Sequence, residues 1–422
     1  MKSNTAAIAA DFSCANQHAL ATILDASQTQ SIIAARDIFD ISGTKLWARD
    51  LPVSQALQRK LLDRQLREPL ESCLKAADGV TAHTLVEAIE RLLKQPTPLT
   101  ALLHAHADTL LREAAKLPVH PVAQLLLTAS RSSRPAAYEH ATQAMALNGA
   151  LMLAQGGKPT DLRIAMLSGL LHDLGEMYIA PEFGEADAER TVDVLTYQQL
   201  VVHPHVGQLL IAQLTDYPAE VARAIAEHHE RMDGSGYPHC LRGDQLSMHG
   251  RLLAVTESTL ATLSEPAAPL SRASIALRVV PGEYDLRWVG LITQVVRQQP
   301  TATAKRTAEE LQERLTKLAE VMHDASTATA TLRREATSAA LKDALTLTEH
   351  LLARLQGGLM TSGLWSIDPV AAPDAAEVEA VEGELRLRLR RIERAVRLRA
   401  GLLTDEDARR LDDLCRQLTL RG

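Results

Sequence analysis

Eight of the fifteen histidines, at 140, 172, 203, 205, 228, 229, 239 and 249, crowd between Pro135 and Gly250, about a quarter of the chain. Imidazoles gathered this way, with carboxylates beside them, are the raw material of a metal centre. His172-Asp173 sets an imidazole next to a carboxylate near the end of the apolar run AMLSGLLHDLG, and His203 follows in HPHVG. His228-His229 are neighbours that diverge by roughly 100° on a helix, a pair able to straddle two adjacent metal positions. With His140 before them and Glu257 after, the spacing predicts five helices that each bring one or two ligands to a common centre in a bundle core. Two cations about 3.5 to 4 Å apart need a bridging carboxylate, several neutral imidazoles and open positions for water and a phosphate oxygen. Asp173 is the natural bridge. Imidazole and carboxylate without thiolate suit two divalent ions, Fe or Mn best, with Zn or Ni also compatible.

The elements that must position these residues read as helices over 136–154, 162–174, 192–214, 219–232 and 247–263, punctuated by Gly156-Gly157, Pro181 and Asp233-Gly234-Ser235-Gly236. Upstream, apolar runs at 33–39 and 44–48 flank the turn dipeptide Ser42-Gly43, which predicts one β-hairpin. Ser54 and Thr81 read as N-caps of helices interrupted by Pro69 and by Pro96 and Pro98. Downstream, PAAP at 266–269 marks a loop, and long helical patterns fill 303–359. The last helix carries seven arginines between Arg386 and Arg399 and an apolar stripe of Leu385, Leu389, Ile392 and Val396. That spacing predicts a solvated helix packed on a partner helix, in this chain or in a homo-oligomer, in preference to RNA or lipid binding.

The expected class is therefore mostly α: a helical bundle with a small N-terminal α+β region and a C-terminal helical extension. Its expected segments are a tail over 1–24, the α+β region over 25–120, the histidine-bearing domain over 130–297 and the extension over 303–422. Few aromatics (three Trp, six Tyr, three Phe) in an Ala- and Leu-rich chain agree with aliphatic helix packing. A net charge of −7 excludes a bulk positive surface for a nucleic acid polymer or an anionic membrane. Cys14, Cys73, Cys240 and Cys415 form no CxxC pair, and no signal-length apolar run precedes Asp11, so a cytoplasmic location is expected.

The ordered run His172-Asp173-Leu174-Gly175, His203-Pro204 with Gly207, HHERMDGSGYP at 228–238 and GRLLAVTE at 250–257 resembles the HD-GYP family over roughly 130–297. That family is a branch of the HD phosphohydrolases. The resemblance implies an HD-type bundle and a metal-dependent cyclic di-GMP phosphodiesterase of bacterial signalling, in which a metal-bridging hydroxide attacks phosphorus in line. It implies metal ligands at His140, His172, Asp173, His203, His228 and His229, with His172 and Asp173 as the catalytic pair. Asp233, Gly234, Gly236, Tyr237 and Pro238 would form a loop that shapes the site or docks partners such as diguanylate cyclases.

Four positions depart from the family. Glu257 replaces an Asp ligand, Ala136 stands where a carboxylate for a third metal is expected, and Glu176 replaces a phosphate-contacting lysine. The neutral loop 266–269 replaces basic residues beyond the last ligand. These departures keep two alternatives open: a weakened or inactive module that binds cyclic di-GMP or docks proteins, and a phosphohydrolase for another nucleotide.

Overall fold

A computed structural model of the chain describes residues 12–179, 202–263, 269–298, 306–361, 375–400 and 403–418. The parts of the expected helix over 192–214 and of the expected loop over 266–269 that fall at 192–201 and 266–268, together with Pro181, lie outside the described residues. The chain divides into two compact units. One comprises Met1–Glu189, Gln199–His229 and Ser247–Thr256, the other Arg190–Gln198, Glu230–Leu246 and Glu257–Gly422. The four consecutive segments expected from the sequence do not follow this division.

In the first unit, helix begins within the stretch expected to be a tail, of which residues 12–24 are described. Asn16 caps α1 (Gln17–Ala26) by accepting from the backbone N–H groups of His18 and Ala19, and α1 buries Ala19, Leu20, Ile23 and Ala26. Strands β1 (Ile32–Ala34), β2 (Ile38–Phe39) and β3 (Lys45–Trp47) follow. The expected hairpin is β2–β3, shorter than its apolar runs, with a turn organised by Asp40, whose carboxylate accepts from Ser42 N at 3.0 Å and Thr44 N at 2.9 Å. After α2 (Gln55–Leu61) and α3 (Leu70–Cys73), β4 (Leu74–Ala76) returns antiparallel to β1 with Ile32 opposite Ala76.

Helices α4 (Ala82–Lys94), α5 (Pro98–Leu103), α6 (Ala107–Ala114) and α7 (Pro121–Ser133) all pack on α8 (Pro135–Ala154). The early region and the histidine-bearing helices thus share one core, which is why no boundary falls near residue 120. Helix α9 (Pro159–Leu171) packs tightly on α8, where a Cβ on Gly169 would come within 2.6 Å of the Ala144 carbonyl oxygen. A 3-10 run (His172–Tyr178) and α10 (His203–Leu214) come next, then α11 (Ala219–Glu227) and the first part of α12 (Met248–Leu263).

The second unit holds the remainder of α12, then α13 (Leu270–Arg278), α14 (Leu286–Val296), α15 (Ala308–Glu335), α16 (Ala339–Thr361), α17 (Ala375–Ala400) and α18 (Asp405–Leu418). The stripe of Leu385, Leu389, Ile392 and Val396 is buried with Leu318, Leu345, Leu352 and Leu411 in one core. Burial of such side chains contributes about 1.5–3 kcal/mol each. The partner helices of α17 are therefore the chain's own α13, α15, α16 and α18. Its arginines are not all solvated, because Arg388 is only 5% exposed. Among the described residues no helix is long and apolar enough to cross a membrane.

Candidate metal centre

Helix ends, not helix middles, present His172 and His228, two of the three fully buried imidazoles. α9 stops at Leu171, one residue before the histidine expected inside it, and His172 opens the 3-10 run with its Nδ1 donating to the Gly169 carbonyl at 2.8 Å. α11 stops at Glu227, short of the expected 232, and His228 repeats the arrangement with Nδ1 donating to the Ile225 carbonyl at 2.6 Å. A carbonyl only accepts, so in both rings Nδ1 carries a proton and Nε2 is the nitrogen turned toward Asp173. The C-terminal ends of α9 and α11 also carry the negative ends of their helix dipoles, which favours cations there. The 3-10 run lies tightly on α10: Gly175 has the His203 carbonyl where a Cβ would stand, so only glycine permits this approach.

Around Asp173 the imidazoles form two pairs. His140 Nε2 and His172 Nε2 are 3.2 Å apart, and His203 Nε2 and His228 Nε2 are 3.1 Å apart. Asp173 Oδ2 faces the first pair, 3.0 Å from His172 and 3.6 Å from His140. Its Oδ1 faces the second, 3.5 Å from His228 and 3.7 Å from His203. Two nitrogens that bind one ion at about 2.1 Å and at right angles stand about 3.0 Å apart, so each pair fits adjacent ligand positions on one ion. A carboxylate with one oxygen toward each pair has the form of a bridge. His229 joins Asp173, His203 and His228 in a group whose ligand atoms lie within 4.8 Å of one another. His228 and His229 both lie past the end of α11, with ring centroids 4.0 Å apart, and both fall in this one group.

Protonation states suit ligation. Burial drives the His228 pKa from 6.5 to about 4, reinforced by His172 and His203 and opposed by Asp173. At Asp173 burial pushes the pKa upward, but His172, His228 and His140 outweigh it and hold the carboxyl well below its ordinary value. At neutral pH the imidazole is neutral and the carboxylate ionised, the forms that bind metal. His172, His203 and His228 are fully buried, whereas the side chains of His140 and Asp173 are 27% and 18% exposed and form the open edge.

Several supporting residues were not singled out in the sequence. Asn148 on α8 donates to the Ala165 carbonyl of α9 at 3.0 Å and accepts from the Thr256 hydroxyl of α12, which ties three helices together. Glu257, 7% exposed, follows Thr256 directly on α12. Glu227 accepts from Ser247 N at 2.8 Å and from the Ser247 hydroxyl at 2.6 Å, which fixes the start of α12 one residue before the His228-His229 pair begins. Their only sequence signal was a polar residue in an otherwise apolar helical run. His249 turns to the Asp161 carbonyl at 3.3 Å and stays outside the ligand groups found among the described residues. Ala136 is exposed, and the backbone carbonyl of Glu176 accepts from Arg134 Nη1 at 3.1 Å, a basic contact that the sequence did not suggest.

The loop residues Asp233, Gly234, Gly236, Tyr237 and Pro238 belong to the second unit. There the Glu230 carboxylate accepts from His239 N at 2.6 Å and Leu241 N at 2.9 Å, the Asp233 carboxylate accepts from Ser235 N at 3.0 Å, and Gly234 turns at φ +83°. In Gly234 the left-handed backbone requires glycine.

Residues 124–279 match the HD domain family. The chain is 27% identical over 208 residues to a cyclic di-GMP phosphodiesterase of Pseudomonas aeruginosa, covering 49% of this chain and 48% of that protein. It is 32% identical over 105 residues to the cyclic di-GMP phosphodiesterase response regulator RpfG of Xanthomonas campestris pv. campestris, covering 25% and 27%. It is 23% identical over 230 residues to a 3'3'-cGAMP-specific phosphodiesterase of Vibrio cholerae, covering 50% and 47%. The chain thus spans about half or less of the length of these relatives. No solved structure matches it.

Proposed function

We propose that this chain, whose residues 124–279 are an HD domain of the HD-GYP kind, is a metal-dependent phosphodiesterase that hydrolyses cyclic di-GMP in bacterial second-messenger signalling. The observation that carries the reading is the Asp173 carboxylate with one oxygen toward each imidazole pair. His140 and His172 would hold one divalent ion and His203, His228 and His229 a second, with Asp173 common to both. Fe or Mn suits this set best and Zn or Ni is compatible. Glu257 is the proposed seventh ligand, supported by its burial and by the anchoring of Thr256 beside it. When bound, the cations supply Lewis acidity toward a phosphoryl oxygen and a water acidic enough to act near neutral pH. The residues do the rest: Nδ1–H bonds fix the orientation of His172 and His228, and Asp173 sets the charge of the site. Burial excludes water from all but the edge at His140 and Asp173. The four cysteines are thiols and not disulfides, which suits a reducing cytoplasm.

Glu176 favours a second reading, a module that binds the dinucleotide or docks a partner such as a diguanylate cyclase without turnover. The V. cholerae relative's name makes 3'3'-cGAMP the second substrate to assay. Chromatographic detection of linear dinucleotide or GMP, with and without chelator, decides between the readings. Metal-dependent product from cyclic di-GMP supports the first, and binding without product supports the module.

A further inference from the structure

The DGSGYP loop is tied to the two long helices near the C-terminus of the chain. On α17, Arg388 Nε donates to Glu283 Oε2 at 2.9 Å, its Nη2 donates to the Ala276 carbonyl at 2.7 Å, and its Nη1 lies 3.5 Å from Glu384 Oε2. Glu283 passes the connection on twice. Its Oε1 lies 3.8 Å from Arg231 Nε, and its backbone carbonyl accepts from Met232 N at 3.0 Å. Arg231 also covers the ring of Tyr284 at 5.0 Å. A second tether comes from α16, where His350 Nε2 donates to the Asp233 carbonyl at 3.2 Å. Three consecutive loop residues, 231 to 233, are therefore held from outside the loop. Inside it, the Met232 carbonyl accepts from Gly243 N at 2.9 Å, so the hold reaches its far end.

Arg388, Glu283 and Glu384 are almost fully buried. Buried ion pairs add little net stability over apolar packing of the same shape, and their best-attested use is to fix one arrangement among several. From this geometry we propose that α16 and α17 form an intramolecular control element that sets the conformation of residues 230–243, with Arg388 as a positioning residue acting through Glu283 on Arg231. The inference rests on the phosphodiesterase reading for its consequence. The loop starts at the residue after His229, so whatever displaces these helices acts two residues from a proposed ligand.

Hydrogen exchange read by mass spectrometry on the full chain tests this, and turnover plays no part in the readout. In Arg388→Gln, amides of residues 231–243 should exchange about tenfold faster or more, while those of α15 stay within about threefold of wild type. Arg388→Lys keeps the charge but loses the fork that reaches Glu283 and Ala276 together, and should give a smaller rise in the same residues. Arg386 pairs with Glu382 on the same helix, so Arg386→Gln should leave the loop unchanged. Unchanged loop exchange in both Arg388 variants would overturn the proposal. So would an equal rise in the loop and α15, which would make Arg388 only a global stabiliser. A chain that hydrolyses no cyclic dinucleotide would sink the phosphodiesterase reading and leave the exchange result standing.

Discussion

Acid should destabilise the metal-free protein through His228. This imidazole is fully buried and its pKa falls from 6.5 to about 4 on folding, so the folded state resists a proton that the unfolded chain accepts. Stability from this group is fully present above pH 6.5 and is lost as the pH falls toward 4. At about 1.4 kcal/mol per pH unit the interval is worth roughly 3 kcal/mol. Asp173, also depressed, adds a loss of the same sign at still lower pH. Urea unfolding of chelator-treated protein at several pH values between 7.5 and 4 measures the effect, with His228→Gln as the reference because glutamine does not titrate. Wild type minus variant should decline by about 3 kcal/mol over that range. A difference that stays flat would refute the placement of a neutral, buried imidazole at the end of α11.

Three further outcomes follow from the geometry. Glu176→Lys should raise kcat/KM for cyclic di-GMP about tenfold, equivalent to about 1.4 kcal/mol, if phosphate approaches the open edge beside the 3-10 run; no change in an active enzyme would show that this position does not meet substrate. Glu257→Asp should retain metal by elemental analysis better than Glu257→Gln, because only Asp keeps the charge, and equal metal content with equal hydrolysis in the Gln variant would remove Glu257 from the ligand set. Glu71 accepts from the Tyr178 hydroxyl at 2.8 Å and burial raises its pKa, so its charge weakens the fold as pH rises above 4.5. Glu71→Gln should therefore raise Tm at pH 8 and lose that advantage near pH 4, as read by calorimetry.

The proposed ligand residues were legible because their chemistry is carried by residue type and by order along the chain. What the sequence obscured was local backbone geometry. The apolar run into His172 reads as continuous helix, but the close packing of Gly175 against His203 tightens the chain into a 3-10 run at that histidine. The same kind of early stop at Glu227 leaves His228 and His229 past the end of the helix. Long-range pairings were equally hidden. β1 and β4 are separated by some forty residues, and neither strand is long enough to announce itself. α1 looked like a tail because its apolar face makes sense only against α7 and the 3-10 run of residues 172–178. On α17 the periodic leucines predicted the packed face, but an arginine among many gave no hint of burial. Glu283 and the Ala276 carbonyl, both distant in sequence, meet Arg388 in the core.

The central claim is that Asp173 bridges two metal positions, and Asp173→Asn tests it most directly because the amide keeps the shape and removes the charge. Metal content by elemental analysis and cyclic di-GMP hydrolysis should be measured together on wild type and variant. The account predicts about two ions per chain with product formation in wild type, and loss of both metal and turnover in the variant. A variant that keeps its full metal content and hydrolyses at the wild-type rate would contradict it.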